Sequence, residues 1–119
     1  MKDFKRLLIW KKGMDIVDRI YDVTALLPSD ERFGIRSQLA KAAVSIPLNV
    51  SEGSAKSSER DYKRFLEMSL GSAFEVETLL LVIQRRKWIE EEIIDELLKW
   101  VDEEQKMIMA FIRKVDGGS

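Results

Sequence analysis

Apolar residues recur along this chain at steps of three and four in four separate blocks, without the two-residue alternation of a half-buried strand. The spacing predicts helices over about 7–27, 30–54, 58–86 and 90–115. The second block organises the rest. In it Ile35, Leu39, Ala42, Ala43, Ile46 and Val50 form a core-facing stripe. Projected at about 100° per residue, the opposite side carries Ser37, Ala40, Val44, Pro47, Leu48 and Ser51 in place of Lys and Glu. This helix therefore has no well-solvated back, and something must cover it. Pro47 removes a backbone donor and crowds the carbonyl of Ala43, at roughly 3 kcal/mol in an ordinary helix interior. Because the apolar spacing continues through Val50, a kink without termination is expected. Gln38, Ser45, Asn49 and Glu52 make a polar line along the flank, read as a hydrogen-bonded network that fixes helix register in preference to a ligand site.

The other blocks are more ordinary. Helix one is expected to face inward with Trp10, Met14, Val17, Ile20, Tyr21 and Thr24, and to stop at Pro28. Ser29 or Asp30 is available to cap helix two, and Phe33 is expected to tuck inward. Ser58 followed by Asp61 resembles a capping arrangement for helix three. Its core stripe is Tyr62, Phe65, Leu66, Ser69, Ala73, Val76, Leu80 and Ile83, with Ser69, Gly71, Ser72 and Ala73 leaving room for close backbone approach. A second stripe, Leu70, Phe74, Leu81 and Trp88, lies roughly opposite and is expensive for a monomer to expose. Helix four opens on Glu90, Glu91 and Glu92, favourable at the positive end of its dipole. Its buried side is Ile94, Leu97, Leu98, Val101, Ile108, Phe111, Ile112 and Val115, interrupted at Glu104 and Gln105. The ending Gly117-Gly118-Ser119 reads as a frayed tail.

Composition narrows the function classes. A chain of 119 residues with 45% hydrophobic and 34% charged positions suits one globular domain, residues 1–119, with a core that needs no staples. Without cysteine there is no disulfide framework or thiolate chemistry, which suits the cytoplasm; without histidine there is no His-dependent triad and no ordinary zinc site. The apolar run Leu7 to Trp10 is too short for a membrane span. The net charge of −1 hides an asymmetry: residues 1–64 hold 13 Lys/Arg against 9 Asp/Glu, whereas 65–119 hold 7 against 12. Such halves can steer partners or pair subunits.

No Gly-rich phosphate loop is present. Glu52, Glu75 and Glu77 are the carboxylates on otherwise apolar helices, and interhelical hydrogen bonding explains them better than acid–base work. No catalytic residue, cofactor, metal or small-molecule substrate is expected. Lys56, Arg60, Lys63 and Arg64, with Lys41 ahead of them, form the candidate phosphate-contacting cluster. Glu59, Asp61 and Glu67 interleave, and the pattern shows no aromatic stacking platform.

Leu8-Ile-Trp-Lys-Lys12, Gln38 through Gly53, Phe65-Leu66 and Leu70 through Glu77 together resemble the four-helix-bundle family named for proteins encoded in 23S ribosomal RNA intervening sequences. The resemblance covers about residues 4–113, and its most specific part is Ser45-Ile-Pro47, Asn49 and Glu52-Gly53. It implies an up-down antiparallel bundle assembling as a cyclic homo-oligomer, a pentamer. It also implies an accessory role beside RNA or a nucleoprotein complex, as in the retroelement branch of the family, from which this chain departs in its acidic balance. The resulting expectation is a non-enzymatic scaffold with Val44, Leu48, Leu70, Phe74, Leu81 and Trp88 at the subunit interface. The alternative is a purely protein-binding scaffold without nucleic-acid contact.

Overall fold

The computed structural model describes residues 3–31 and 34–117. They form α1 (Leu8–Thr24), α2 (Ile35–Ser54), α3 (Glu59–Arg86) and α4 (Glu91–Gly117), with single 3-10 turns at Phe4–Arg6 and Ser29–Glu31 and no strand among the described residues. Each helix packs on its neighbour in sequence, and α1 also meets α4, so the four close into a bundle measuring 47 × 23 × 20 Å. The α2–α3 seam is the most extensive and the α1–α4 seam the thinnest of the helix–helix seams.

Local chemistry sets the ends. Ahead of Pro28, which disfavours helical backbone at Leu27, α1 gives way at Thr24 to tighter bonds from Leu26 N–H to the Val23 carbonyl and from Leu27 N–H to that of Thr24. Ser29 and Asp30 do not cap α2. They belong to a separate turn, closed by Glu31 N–H on the Pro28 carbonyl at 3.0 Å, and α2 starts five residues later than expected behind Gly34, without a side-chain cap. Phe33 lies outside the described residues, as do Gly118 and Ser119. Ser58 caps α3 as expected, its hydroxyl accepting from Asp61 N–H at 3.1 Å. At the other end Lys87 takes left-handed backbone, φ 56°, which lets the N–H groups of Lys87 and Trp88 return to the carbonyls of Gln84 and Ile83. Glu91 and Glu92 stand in the first turn of α4.

The stripes of α2 and α3 fill the core as the spacing requires, with Leu39, Ala43, Ile46, Val50, Leu66, Ala73, Val76, Leu80 and Ile83 wholly buried. Phe65 is half-buried. The inner face of α1 differs from expectation. Met14 and Tyr21 are exposed, and the buried line is Ile9, Gly13, Ile16, Ile20, Val23 and Thr24. Ile20 and Thr24 hold the core as expected and Trp10 and Val17 pack partly against it, while Ile9, Gly13, Ile16 and Val23 occupy the positions expected of Met14 and Tyr21, and Gly13 lets α1 approach α2 closely. Pro47 is likewise buried instead of lying on the back of α2, because its ring fills the space opposite Gly13. The helix continues past it to Ser54. Gly71 faces open space, so the close approach expected there is absent, and Ser69 and Ala73 supply the tight contact instead.

Candidate oligomer and nucleic-acid interfaces

The polar line of α2 meets α3. Asn49 donates from Nδ2 to both the carbonyl and Oγ of Ser45 at 2.9 Å, and Ser45 Oγ pairs with Ser72 Oγ at 2.8 Å. One turn toward the core, Ser69 Oγ donates to the Ile46 carbonyl at 2.8 Å. Gln38 Nε2 reaches Glu75 at 3.5 Å, while Glu52 is exposed. Gly53 serves packing: a methyl group there would lie 2.9 Å from Phe65 Cβ and 3.1 Å from Tyr62 Cδ1. The motif Ser45-Ile-Pro47, Asn49, Glu52-Gly53 is therefore mostly a device for setting α2 against α1 and α3. Glu75 and Glu77 are taken up by amides of different helices, Glu77 accepting from Gln105 Nε2 at 2.8 Å. Among the described residues no group of acidic, histidine or cysteine side chains is arranged to hold a metal ion.

The apolar residues expected at a subunit interface fall, apart from Trp88, into two patches. Val44 and Leu48 lie on the back of α2 beside Tyr21 of α1, and together with Ser37, Ala40, Lys41 and Ser45 they line a shallow groove of about 420 Å³. Leu70, Phe74 and Leu81 share a flank of α3 with Glu77, which bonds α4, so this patch belongs to the α3–α4 side of the bundle. Phe74 is 47% and Leu81 40% exposed, and Leu70 is partly covered by the core. Trp88 departs from the expected stripe. Helix α3 has already ended, and its ring packs partly against the core with the Arg86 guanidinium 5.7 Å from its centroid. Met68 and Val82 add exposed apolar surface elsewhere on α3 that the stripe did not anticipate.

The basic cluster is only partly assembled. Lys41 sits in the α1–α2 groove, and Lys63 is spent on Asp116 of α4 at 3.0 Å. Arg64 makes a loose exposed pair with Asp61 at 3.9 Å. Lys56, Arg60 and Arg64 remain near the start of α3. Lys56 Nζ and the Arg64 guanidinium approach the Phe65 ring at 4.8 and 5.0 Å, so an aromatic group does accompany the cluster. The charge asymmetry along the chain is used internally. Lys12–Glu103, Arg19–Glu96 and Lys63–Asp116 each join the basic first half to the acidic second half across helices.

Sequence reasoning missed Glu104. It does not interrupt the buried side of α4; it is part of it, wholly buried in the stripe Leu97, Val101, Glu104 and Ile108, with Gln105 buried beside it. Neither carboxyl oxygen has a hydrogen-bond partner, and burial pushes its pKa from 4.5 to about 8 against the opposing charge of Lys12. The steps 97, 101, 104 and 108 already carried that signal.

With the fold in view, comparison with known proteins gives a consistent placement. A crystal structure of a protein of unknown function from the S23 ribosomal protein family, from Bacteroides thetaiotaomicron VPI-5482, superposes with a TM-score of 0.83, covering 89% of this chain and 96% of that one at 22% identity. That likeness speaks for the shared fold. No curated protein matches significantly. The model of the 23S rRNA-intervening sequence protein family matches residues 5–110, nearly the whole bundle with its Ser45-Ile-Pro47 and Glu52-Gly53 signature, and the chain belongs to that family.

Proposed function

We propose that this protein is a non-enzymatic scaffold of the cytoplasm that closes into a homo-oligomeric ring, a pentamer, and serves as an accessory to an RNA or nucleoprotein complex. The observation that carries this reading is the separation of the two apolar patches. Val44 and Leu48 lie on the α1–α2 side and Phe74 and Leu81 on the α3–α4 side. An isologous dimer would use one patch twice, whereas a head-to-tail contact uses two different patches and repeats until a ring closes. Burial of each large apolar side chain is worth about 1.5–3 kcal/mol. Several per subunit can outweigh the entropy of association. Light scattering at micromolar concentration tests the assembly. About five times 13.8 kDa supports the pentamer, and a mass near 13.8 kDa refutes it.

The RNA part rests on Lys56, Arg60 and Arg64, repeated around the ring so that weak sites add. Affinity for single-stranded RNA then falls steeply with salt, with a slope set by the phosphates contacted. Charge reversal at Arg60 and Lys56 is expected to lower it at least tenfold at low salt, as read by fluorescence anisotropy. Binding that ignores salt or these substitutions favours the second reading, a protein-binding scaffold, which the acidic balance of residues 65–119 supports. Recovery of partners from the native host with and without nuclease separates the two.

A further inference from the structure

Several features meet in one layer at the middle of the bundle. Pro47 withholds the N–H that would bond the carbonyl of Ala43, a wholly buried residue. Gly13 of α1 turns a bare Cα toward that point: a methyl group there would lie 3.4 Å from Ile46 Cγ2 and Pro47 Cβ and 3.2 Å from Glu104 Oε2. Glu104 enters the layer from α4, 0% exposed, with neither oxygen partnered. Outside the layer runs the α1–α4 seam. It is held by Lys12–Glu103 at 3.5 Å and Arg19–Glu96 at 2.7 Å, and by Trp100, whose ring has Lys12 and Arg19 within 5.4 and 5.0 Å of its centroid.

A carboxylate in this place holds a full charge among apolar groups with no donor to stabilise it. The acid form removes the charge and adds an O–H donor, in a layer where Pro47 already withholds one backbone donor. The surroundings decide between the two forms. From α1 comes Lys12, already engaged by Glu103 of α4. From α2 come Ile46 and Pro47, neither ionisable. The Glu77 carboxylate of α3 is taken up by the amide of Gln105, the residue beside Glu104. One cation at the rim therefore opposes the whole desolvation of the interior.

We propose that Glu104 is a proton-operated latch on the α1–α4 seam: as the neutral acid it lets the seam close, and on ionising it moves toward Lys12 and water and loosens α1 from α4. Among the described residues no other carboxylate is buried, and the other three seams hold. The upward displacement to about 8 agrees in sign. With the folded pKa above the unfolded one, the folded state keeps the extra proton between about 4.5 and 8, and the stability it contributes is whole below 4.5 and lost as pH rises through 8.

The test uses the full chain. Chemical denaturation of wild type and Glu104→Gln is followed from pH 5 to 8, and the ratio of their folding constants isolates this one group. We expect wild type to lose up to about tenfold per pH unit relative to Glu104→Gln. A flat ratio overturns the latch. The seam is read separately from acrylamide quenching of Trp100 in a Trp10→Phe, Trp88→Phe background. Quenching should rise at least twofold between pH 6 and 9 with helical circular dichroism unchanged, and should stay level when Glu104→Gln is added. Equal rises with and without Glu104, or no rise, overturn it. Should Glu104→Gln fail to fold, Lys12→Met serves: removing the opposing cation must move the quenching transition to higher pH, and an unmoved transition defeats the proposal.

Discussion

At the scale of single residues, glycines show what the sequence conceals. Gly53 and Gly71 both stand inside the helical pattern, and nothing in their neighbours along the chain tells them apart. In the bundle a methyl group at Gly53 would meet Phe65 Cβ at 2.9 Å, whereas one at Gly71 meets nothing within 4 Å. Gly53→Ala is therefore expected to cost about 1–3 kcal/mol through overpacking. Gly71→Ala should gain about 0.5–1 kcal/mol, as a helix interior does on losing a glycine. Urea denaturation at one pH checks both signs. The candidate site residues divide in the same way. That Ser45, Asn49 and Gln38 form a polar line was legible, because helical periodicity places them together. That Lys63 is occupied by Asp116 was not, since the two are 53 positions apart and only packing brings them within 3.0 Å. Phe65 beside Lys56 and Arg64 was hidden for the same reason: no spacing rule links Lys56, beyond the end of α2, to an aromatic group in α3.

At the scale of elements, periodicity gave the core stripes of α2 and α3 almost completely and the inner face of α1 only in part. Along α2 the large aliphatic residues Ile35, Leu39, Ile46 and Val50 share one face with Ala42 and Ala43, so one phase fits. In α1 two phases overlap at Ile20 and Thr24, one continuing through Trp10, Met14, Val17 and Tyr21 and the other through Ile9, Ile16 and Val23, and the second wins because its side chains are compact and Gly13 lies on the same line. The larger groups take the rim, where Trp10 rests edge-on against Phe4 at 5.4 Å. The most secure elements give the most secure energetic expectation. Ile46 and Leu80, both wholly buried, should each lose about 2–5 kcal/mol on replacement by Ala, measured as the shift in denaturation midpoint at constant slope. A loss below about 0.5 kcal/mol, the ordinary range of surface substitutions, would remove either from the core.

At the scale of the whole molecule, a head-to-tail ring makes a demand that a face-to-face dimer does not. In the proposed ring each subunit would present two unlike surfaces, so each can be spoiled separately. Val44→Glu with Leu48→Glu leaves the α3–α4 patch intact, and Phe74→Glu with Leu81→Glu leaves the α1–α2 patch intact. Either variant alone is expected to be monomeric while its helices persist, because none of the four side chains belongs to the buried core. Mixed in equal amounts, they retain one productive contact between unlike partners and cannot extend it. The mixture should show a species of twice 13.8 kDa, about 28 kDa, by light scattering. A mixture that stays monomeric, or a single variant that keeps the full assembly, places the contact elsewhere.

The thinness of the α1–α4 seam also bears on the order in which the bundle forms. Three of its seams join helices adjacent in the chain and need only short connections to close. The fourth must bring together residues as far apart as Lys12 and Glu103, 91 positions, and repays that loop closure with the least packing. Local hairpins, with the α2–α3 pair as nucleus, are therefore expected to set the rate of reaching the native state, in the fast regime of helical topologies. Closure of α1 on α4 is then expected to follow the barrier, so that Arg19→Ala speeds unfolding more than it slows refolding in stopped-flow denaturant jumps.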